Sequence, residues 1–235
     1  GNRARFFHSN FPQREPAPTR DTKGPATPAQ GVAPLVGVAP KATRGGNSNM
    51  AIKSTIFKAN LQIADIDHSY YADHALTLAR HPSETDERMM VRLVALAIHA
   101  HELQDTCRGD GTLAFGTGLS DPDDPDVSLT DFTGRKRLWI EVGQPEDKPL
   151  AKACSKADAV VLYAFGSAAD VWWRGISTKL TRLDRLQVWR LPTEVAPALA
   201  QMAERSMQLQ ATLQEGVLTL SSERGSVAIE PIRWK

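Results

Sequence analysis

The sequence predicts an α/β domain in which a mixed, strongly curved sheet carries helices on its faces and a β-rich C-terminal extension completes the fold. Short apolar runs typical of strands alternate with segments of helical spacing through the middle of the chain. After residue 207, apolar and polar residues alternate around Gly216 and Gly225, which predicts two or three further strands joined by glycine turns.

The first 50 residues differ in composition from the remainder. They hold seven of the 15 prolines, six of the 16 glycines, and seven basic residues against two acidic ones. They show no apolar periodicity, so they bury too little surface to offset the loss of chain entropy. We therefore expect residues 1–49 to be a disordered extension and residues 50–235 to be the folded domain.

The charge of the folded part limits its partners. Residues 51–235 carry 21 basic and 25 acidic side chains, a net charge of −4. This lacks the basic excess of a dedicated duplex-binding protein, so any contact with nucleic acid is expected at a local patch. The two cysteines have no metal-ligand spacing, which predicts a cytoplasmic protein. No stretch has the length and apolarity of a membrane span, and the sequence leaves the oligomeric state open.

The N-terminal part of the domain predicts a hairpin followed by a helix. Residues 51–66 and 74–81 alternate as two antiparallel strands would. Ser83 has the character of an N-cap, with Asp86 three residues later, and the helix is expected to run to about Ala100 with one apolar face. Glu84 and Glu87 then lie in its first turn, where the helix dipole alone favours carboxylates.

The stretch from 124 to 145 predicts the central hairpin of the domain. Two apolar runs, 127–129 and 138–142, flank a polar turn that contains Gly134. A strand at 113–115 precedes this hairpin, and a helix starting at Pro149 and a buried, parallel strand at 159–166 follow it. A helix capped by Ser167, a strand at 186–191 and a helix containing Pro197 complete the prediction.

Two carboxylates of this hairpin are candidate ligands for a hard divalent cation. Asp126 opens the first strand, and Glu141 lies between apolar neighbours in the second, where a free carboxylate is costly. Two structural alternatives remain open: Asp126 as a turn residue, and Glu141 in a salt bridge. The candidate partners for that salt bridge are Arg88, Arg92 and Arg137. The histidines at 74, 81, 99 and 101 are expected to be structural.

The segments HALTLARHPSETDERM, LWIEVGQP and KACSKADAVVLYAFG resemble the bacterial YaeQ family over essentially all of residues 50–235. The resemblance implies a variant of the PD-(D/E)XK restriction-endonuclease-like core, with the element order αβββαβ. It also implies that Asp126, Glu141 and the carbonyl of Val142 hold Mg²⁺ or Mn²⁺, with Glu84 as an auxiliary carboxylate and Glu87 as the second choice.

The sequence departs from the superfamily motif at one important position. The motif has a lysine two residues after the glutamate, and here that position is Gly143. Gln144 follows it and supplies no positive charge, although an amide can orient water or phosphate. Lys152 on the next helix is the candidate replacement for the motif lysine. Alternatively, Lys152 is an ordinary solvent-exposed lysine without a role in the site.

The resemblance implies two main functions. The first is a divalent-metal-dependent phosphodiesterase or nuclease that acts on nucleic acid. The second is a non-catalytic nuclease-fold module with a binding or regulatory role in nucleic-acid metabolism or transcription. Hydrolysis of a smaller phosphoester is a third.

Overall fold

The computed structural model describes residues 54–117 and 123–235, which form two β-sheets with helices packed beside them. The predicted extension at residues 1–49 lies outside the described residues. The elements in chain order are Thr55–Asp65 (β1), Tyr70–Arg80 (β2), Asp86–Ile98 (α1), Glu102–Asp105 (α2), Gly111–Phe115 (β3), Val127–Asp131 (β4), Lys136–Val142 (β5), Asp147–Lys156 (α3), Ala157–Ala164 (β6), Ala169–Leu180 (α4), Leu186–Arg190 (β7), Val195–Gln201 (α5), Ser206–Gln214 (β8), Val217–Ser222 (β9), Gly225–Ile229 (β10) and Ile232–Arg233 (β11).

The first sheet joins the two ends of the domain in the order β10-β9-β8-β1-β2. The predicted antiparallel pairing of β1 with β2 is confirmed, and β8 lies parallel to β1 from Lys58 opposite Ser206. Side chains of β1 and β8 alternate between buried and exposed, so one face of the sheet covers the core. The expectation of a single sheet was therefore wrong, because the C-terminal strands build a second sheet with the N-terminal hairpin.

The second sheet carries the predicted central hairpin, in the order β11-β7-β6-β5-β4-β3. Strands β3, β4 and β5 are antiparallel, whereas β6 is parallel to β5 and β7 is parallel to β6. The parallel arrangement of β6 is confirmed, and helix α3 makes the crossover that it requires. The order α1, β3, β4, β5, α3, β6 matches the predicted αβββαβ order, with the short helix α2 as an addition.

Helix α1 is buried on all sides. Every residue from Met89 to Ile98 is buried, and the helix contacts β3, β4 and β5 on one side and α5 on another. The sequence predicted that only one face of this helix is apolar and buried. That prediction was incomplete, because a helix buried on all sides has no solvent-exposed face. Arg92 lies within this buried stretch, and its charge must therefore be balanced inside the protein.

Two predicted helix N-caps were wrong, and helix α3 begins at Asp147 rather than at Pro149. The N-cap of α1 is Thr85, whose hydroxyl accepts a hydrogen bond from the amide of Arg88 at 3.2 Å, so Glu84 precedes the helix. Helix α4 begins after Ala168 rather than after Ser167, without a side-chain cap. Several residues in each segment have capping character, and tertiary contacts decide which of them is used.

Substitution of the observed N-cap tests this assignment. We expect Thr85→Ala to lower the free energy of unfolding by about 1 kcal/mol, because the amide of Arg88 loses its acceptor. Ser83→Ala is the matched control, since Ser83 is also exposed and its backbone amide keeps its bond to His81. Urea unfolding of both variants checks this; an equal or larger loss for Ser83→Ala would contradict the observed cap.

Candidate functional site

Asp126 directly precedes β4 and lies beside the C-terminal end of β5, at the open end of the central hairpin. The amide of Asp126 donates to the carbonyl of Ile140 at 3.0 Å, and Oδ2 of Asp126 accepts the amide of Val142 at 2.8 Å. The Asp126 carboxylate therefore belongs to the hairpin geometry and is almost completely buried. It is not a solvent-exposed turn residue, one of the alternatives that the sequence left open.

Arg88 occupies the position where the sequence predicts a metal ion. Its Nη2 lies 2.8 Å from both carboxylate oxygens of Asp126 and 3.4 Å from the carbonyl oxygen of Val142. Two of the groups proposed as cation ligands therefore surround one guanidinium nitrogen. The cation at this point in the described structure is a side chain of α1.

Glu84 and Arg92 extend this contact into a cluster of four charges. Oε1 of Glu84 accepts Nη1 of Arg88 at 2.8 Å, and Arg92 donates Nη1 to both Glu84 oxygens at 3.1 and 3.0 Å. Nε of Arg92 lies 3.6 Å from Oδ1 of Asp126. Glu84 is 2% exposed and Arg92 is fully buried, so these ions are shielded from water. Two carboxylates and two guanidinium groups balance each other, and we call them the four-charge cluster.

The arginines predicted as partners of Glu141 contact other carboxylates. Arg88 and Arg92 bind Asp126 and Glu84, and Arg137 pairs with Asp158 at 2.9 Å.

Glu141 has a different environment. Its Oε1 accepts the indole Nε1 of Trp139 at 2.6 Å, from the same face of β5. Burial first, and the adjacent Asp126 carboxyl second, raise the pKa of Glu141 to about 7.

The proton of the Asp126–Glu141 pair resides on Glu141. Burial also raises the pKa of Asp126, against the opposing effects of Arg88, Arg92 and the Val142 amide. Because these donors contact Asp126, we assign the proton to Glu141, which donates it to Asp126. Near neutral pH this carboxyl is poised to release a proton or to accept a cation.

The remaining predicted site residues are engaged elsewhere. The side-chain amide of Gln144 donates to the carbonyl of Phe165, and the ammonium of Lys152 pairs with Asp123, three residues before Asp126. Gly143, at the position of the motif lysine, has φ +115°, a conformation that strains any residue with a side chain. The backbone at this point thus disfavours a lysine.

Sequence reasoning missed the role of the arginines and a second group of polar residues. The spacing of Glu84, Arg88 and Arg92, four residues apart each time, was a usable signal, because such residues share one side of the chain when it is helical or nearly so. Within the described residues, Asp65, His68 and His101 form a group whose potential ligand atoms all lie within 4.8 Å of one another. The sequence analysis expected His101 to be structural, whereas here it meets Asp65 and His68, which lie more than 30 residues earlier in the chain.

Comparison with known proteins places the chain in a family. The family model for YaeQ protein matches residues 50–231. The chain belongs to the YaeQ family. It is 41% identical to the uncharacterized YaeQ protein of Salmonella typhi and 39% identical to that of Escherichia coli K12, in each case over 187 residues that cover 79% of this chain and 98% of the relative.

Solved structures of the family share this fold. The crystal structure of the YaeQ protein from Xanthomonas axonopodis pv. citri matches with a TM-score of 0.70 at 39% identity, covering 77% of this chain and 98% of that one. The YaeQ protein from Pseudomonas syringae matches with a TM-score of 0.70 at 32% identity, covering 77% and 96%. The family is thereby shown, together with a mixed α/β fold of two sheets.

One general property of the chain follows from its helices. Within residues 54–117 and 123–235, none of the helices has the length and apolarity needed to cross a membrane.

The protonation of Glu141 predicts a pH-dependent stability. The folded-state pKa of about 7 exceeds the ordinary value near 4.5, so the folded protein binds the extra proton between these pH values. Its stabilising contribution is complete below pH 4.5 and is lost as pH rises through 7, at up to about 1.4 kcal/mol per pH unit. We expect Glu141→Gln to be more stable than wild type at pH 8, with a flatter profile of unfolding free energy between pH 5 and 7.

Denaturant unfolding at several pH values checks this expectation. Glu230→Gln, which removes a negative charge at an exposed position, is the matched control and should give a curve parallel to wild type. A Glu141→Gln curve that also runs parallel to wild type would contradict the assignment of the proton.

Proposed function

We propose that this YaeQ-family chain is a nuclease-fold module without phosphodiesterase activity, with a binding or regulatory role in nucleic-acid metabolism. The order α1, β3, β4, β5, α3, β6 supports a PD-(D/E)XK-like core. The observation that carries the proposal is the guanidinium of Arg88 between both oxygens of Asp126 and the carbonyl of Val142.

Arg88 balances the charge of Asp126 but does not supply the chemistry of a metal ion. A bound divalent cation orients a water nucleophile, lowers its pKa and stabilises charge on phosphate oxygens. A guanidinium has only N–H donors, so it cannot coordinate and activate that water. To admit a cation at Asp126, Arg88 must leave two carboxylates, and breaking such a buried pair costs about 3 to 5 kcal/mol.

The other groups that hydrolysis would need are also not available for catalysis. Gly143 stands where the motif has a lysine, and its left-handed backbone disfavours a side chain. Gln144 is bonded to the carbonyl of Phe165, and Lys152 to Asp123. A nuclease site would therefore require the rearrangement of Arg88 together with a new source of positive charge.

A second candidate function is a Mg²⁺- or Mn²⁺-dependent phosphodiesterase that uses Asp126, Glu141 and Glu84. One observation favours it. The two arginines already balance Glu84 and Asp126, so ionised Glu141 leaves one negative charge beside Asp126. Arg88 is 17% exposed and its withdrawal would open the pair to a cation. Under this candidate, metal binding and the outward movement of Arg88 occur together.

A local surface near α4 supports contact with nucleic acid despite the acidic domain. Lys179 and Arg182 are well exposed and lie 3.9 and 3.8 Å from Asp147, so their charges are only loosely paired. On the same helix, the partly buried ring of Trp173 stacks on that of Trp234, with centroids 5.2 Å apart. The ammonium of Lys235 bonds to the carbonyl of Leu183, which places Lys235 beside the residues that follow α4. Exposed cations of this kind suit the phosphate groups of nucleic acid.

One experiment on labelled oligonucleotides measures binding and cleavage together. We expect single-stranded DNA or RNA to bind with an affinity that falls as salt rises, and to remain intact after prolonged incubation with Mg²⁺ or Mn²⁺. The double substitution Lys179→Glu, Arg182→Glu should weaken binding by about tenfold or more, because two cations become anions. Arg224→Glu, at an exposed position between β9 and β10, is the matched control.

Three outcomes separate the candidates. Cation-dependent cleavage that disappears in Glu141→Gln would establish the phosphodiesterase and overturn the non-catalytic proposal. Intact substrate and no binding to single- or double-stranded DNA or RNA would contradict the role in nucleic-acid metabolism. Equal weakening of binding by the double substitution Lys179→Glu, Arg182→Glu and by the control Arg224→Glu would contradict the surface near α4.

A further inference from the structure

A second polar group lies away from the four-charge cluster, where the first sheet meets the end of α1. Asp65 is the last residue of β1, His68 lies in the turn that leads to β2, and His101 follows α1. Asp65 is 1% exposed and His101 is 5% exposed, although both are polar. Burying such groups is unfavourable unless they bind each other or a ligand.

The donor atoms converge on one carboxylate oxygen. Oδ2 of Asp65 lies 2.8 Å from Nδ1 of His68 and 3.4 Å from Nδ1 of His101. Asp105 of α2 is half-exposed, and its Oδ2 lies 3.9 Å from Nε2 of His101. Two imidazoles and a buried carboxylate, with a second carboxylate at the solvent side, form a donor set used for metal ions in proteins.

Backbone groups hold the members of this group in place. Oδ1 of Asp65 accepts the amide of His68 at 3.0 Å, which fixes the turn between β1 and β2. The carbonyl of Ile98 lies 3.1 Å from Nδ1 of His101 and therefore accepts that N–H when the ring carries it. This contact orients the imidazole of His101 and leaves Nε2, which lies 3.9 Å from Asp105, as the nitrogen available to a metal after a small adjustment of the group. Asp65 and His101 are thus prepositioned by two different elements.

The two rings need a limited movement to chelate an ion. The rings of His68 and His101 stack with centroids 3.6 Å apart and planes 3° from parallel. The nitrogen lone pairs lie in the ring planes, and one ion cannot lie in two separate parallel planes, so one ring must tilt for both to bind the same ion. His68 is the ring that can do so, because it lies in a turn and is more exposed than His101.

We propose that Asp65, His68 and His101 bind one divalent transition-metal ion, with Zn²⁺ as the representative ion and Asp105 completing the coordination. Imidazole donors favour zinc and similar ions, whereas Mg²⁺ and Ca²⁺ favour all-oxygen sites. The ion links the turn after β1 to the segment after α1, and so ties the first sheet to the central helix. This inference does not depend on the function proposed for the four-charge cluster.

Zinc titration of the full chain, treated with a chelator and prepared without a polyhistidine tag, tests the proposal. We expect one equivalent of Zn²⁺ to bind by calorimetry, and Co²⁺ to give the visible absorption of a site with nitrogen and oxygen ligands. His68→Ala should weaken binding at least about tenfold, since it removes one of the imidazole ligands. His101→Gln should weaken it further.

The controls keep the proposal falsifiable. His74→Gln removes a histidine of β2 that bonds to Tyr70, and should leave zinc binding unchanged. Because His101 is buried, circular dichroism must show that its variant is folded; if it is not, the turn variant His68→Ala, at a partly exposed position, decides alone. Absence of stoichiometric binding, or equal binding by wild type and His68→Ala, would overturn the site and leave the stacked histidines as a hydrogen-bonded contact only.

Discussion

The four-charge cluster joins more parts of the domain than any other polar contact described above. Glu84 comes from the segment before α1, Arg88 and Arg92 from α1, and Asp126 from the start of the central hairpin. Arg92 also donates to the carbonyl of Gly116, just after β3, at 3.2 Å. Compared with apolar packing, such buried ions contribute little net stability, but removing one of them leaves an uncompensated charge. Their contribution is therefore to fix where α1 lies against the second sheet.

The same charge balance determines what the candidate site can do. With Glu84 and Asp126 neutralised by arginines, Glu141 is the carboxyl of the pair that retains its proton near neutral pH. The resemblance noted in the sequence implies a metal ion at such a carboxylate pair, whereas the guanidinium of Arg88 lies there. A guanidinium preserves the electrostatic stability of the fold without offering a coordination site for water. Under the function proposed above, this one cation accounts both for a retained fold and for an absence of phosphodiesterase activity.

Much of the fold was predictable because local patterns specify it. The apolar runs of the central hairpin, the alternation of β1 and β2, and the parallel strand β6 were read correctly from spacing alone. Pairing between distant segments was not, because alternation shows that a strand has a buried face without identifying its neighbour. The parallel pairing of β1 with β8, which joins the N-terminal hairpin to the C-terminal strands in the first sheet, is such a case.

The carboxylates of the candidate site could be predicted from the sequence, but the cations that pair with them could not. Asp126 and Glu141 were identified because an acidic residue beside apolar ones needs a compensating charge. Which cation supplies it depends on how α1 lies over the hairpin, and that is a tertiary property. The positive φ of Gly143 and the proximity of His68 to His101 are likewise set by the folded chain. Sequence spacing identifies candidate metal ligands only when they are local, and here His101 lies on a different element from Asp65 and His68.

The central claim is that Arg88 takes the place of a metal ion at Asp126. The most direct measurement is the anomalous difference density of crystals grown or soaked with Mn²⁺ near pH 8, where Glu141 is ionised. We expect no manganese peak between Asp126 and Glu141, and a guanidinium of Arg88 still within hydrogen-bonding distance of both Asp126 oxygens. A manganese peak bonded to Asp126 and Glu141, with Arg88 turned away toward solvent, would contradict it.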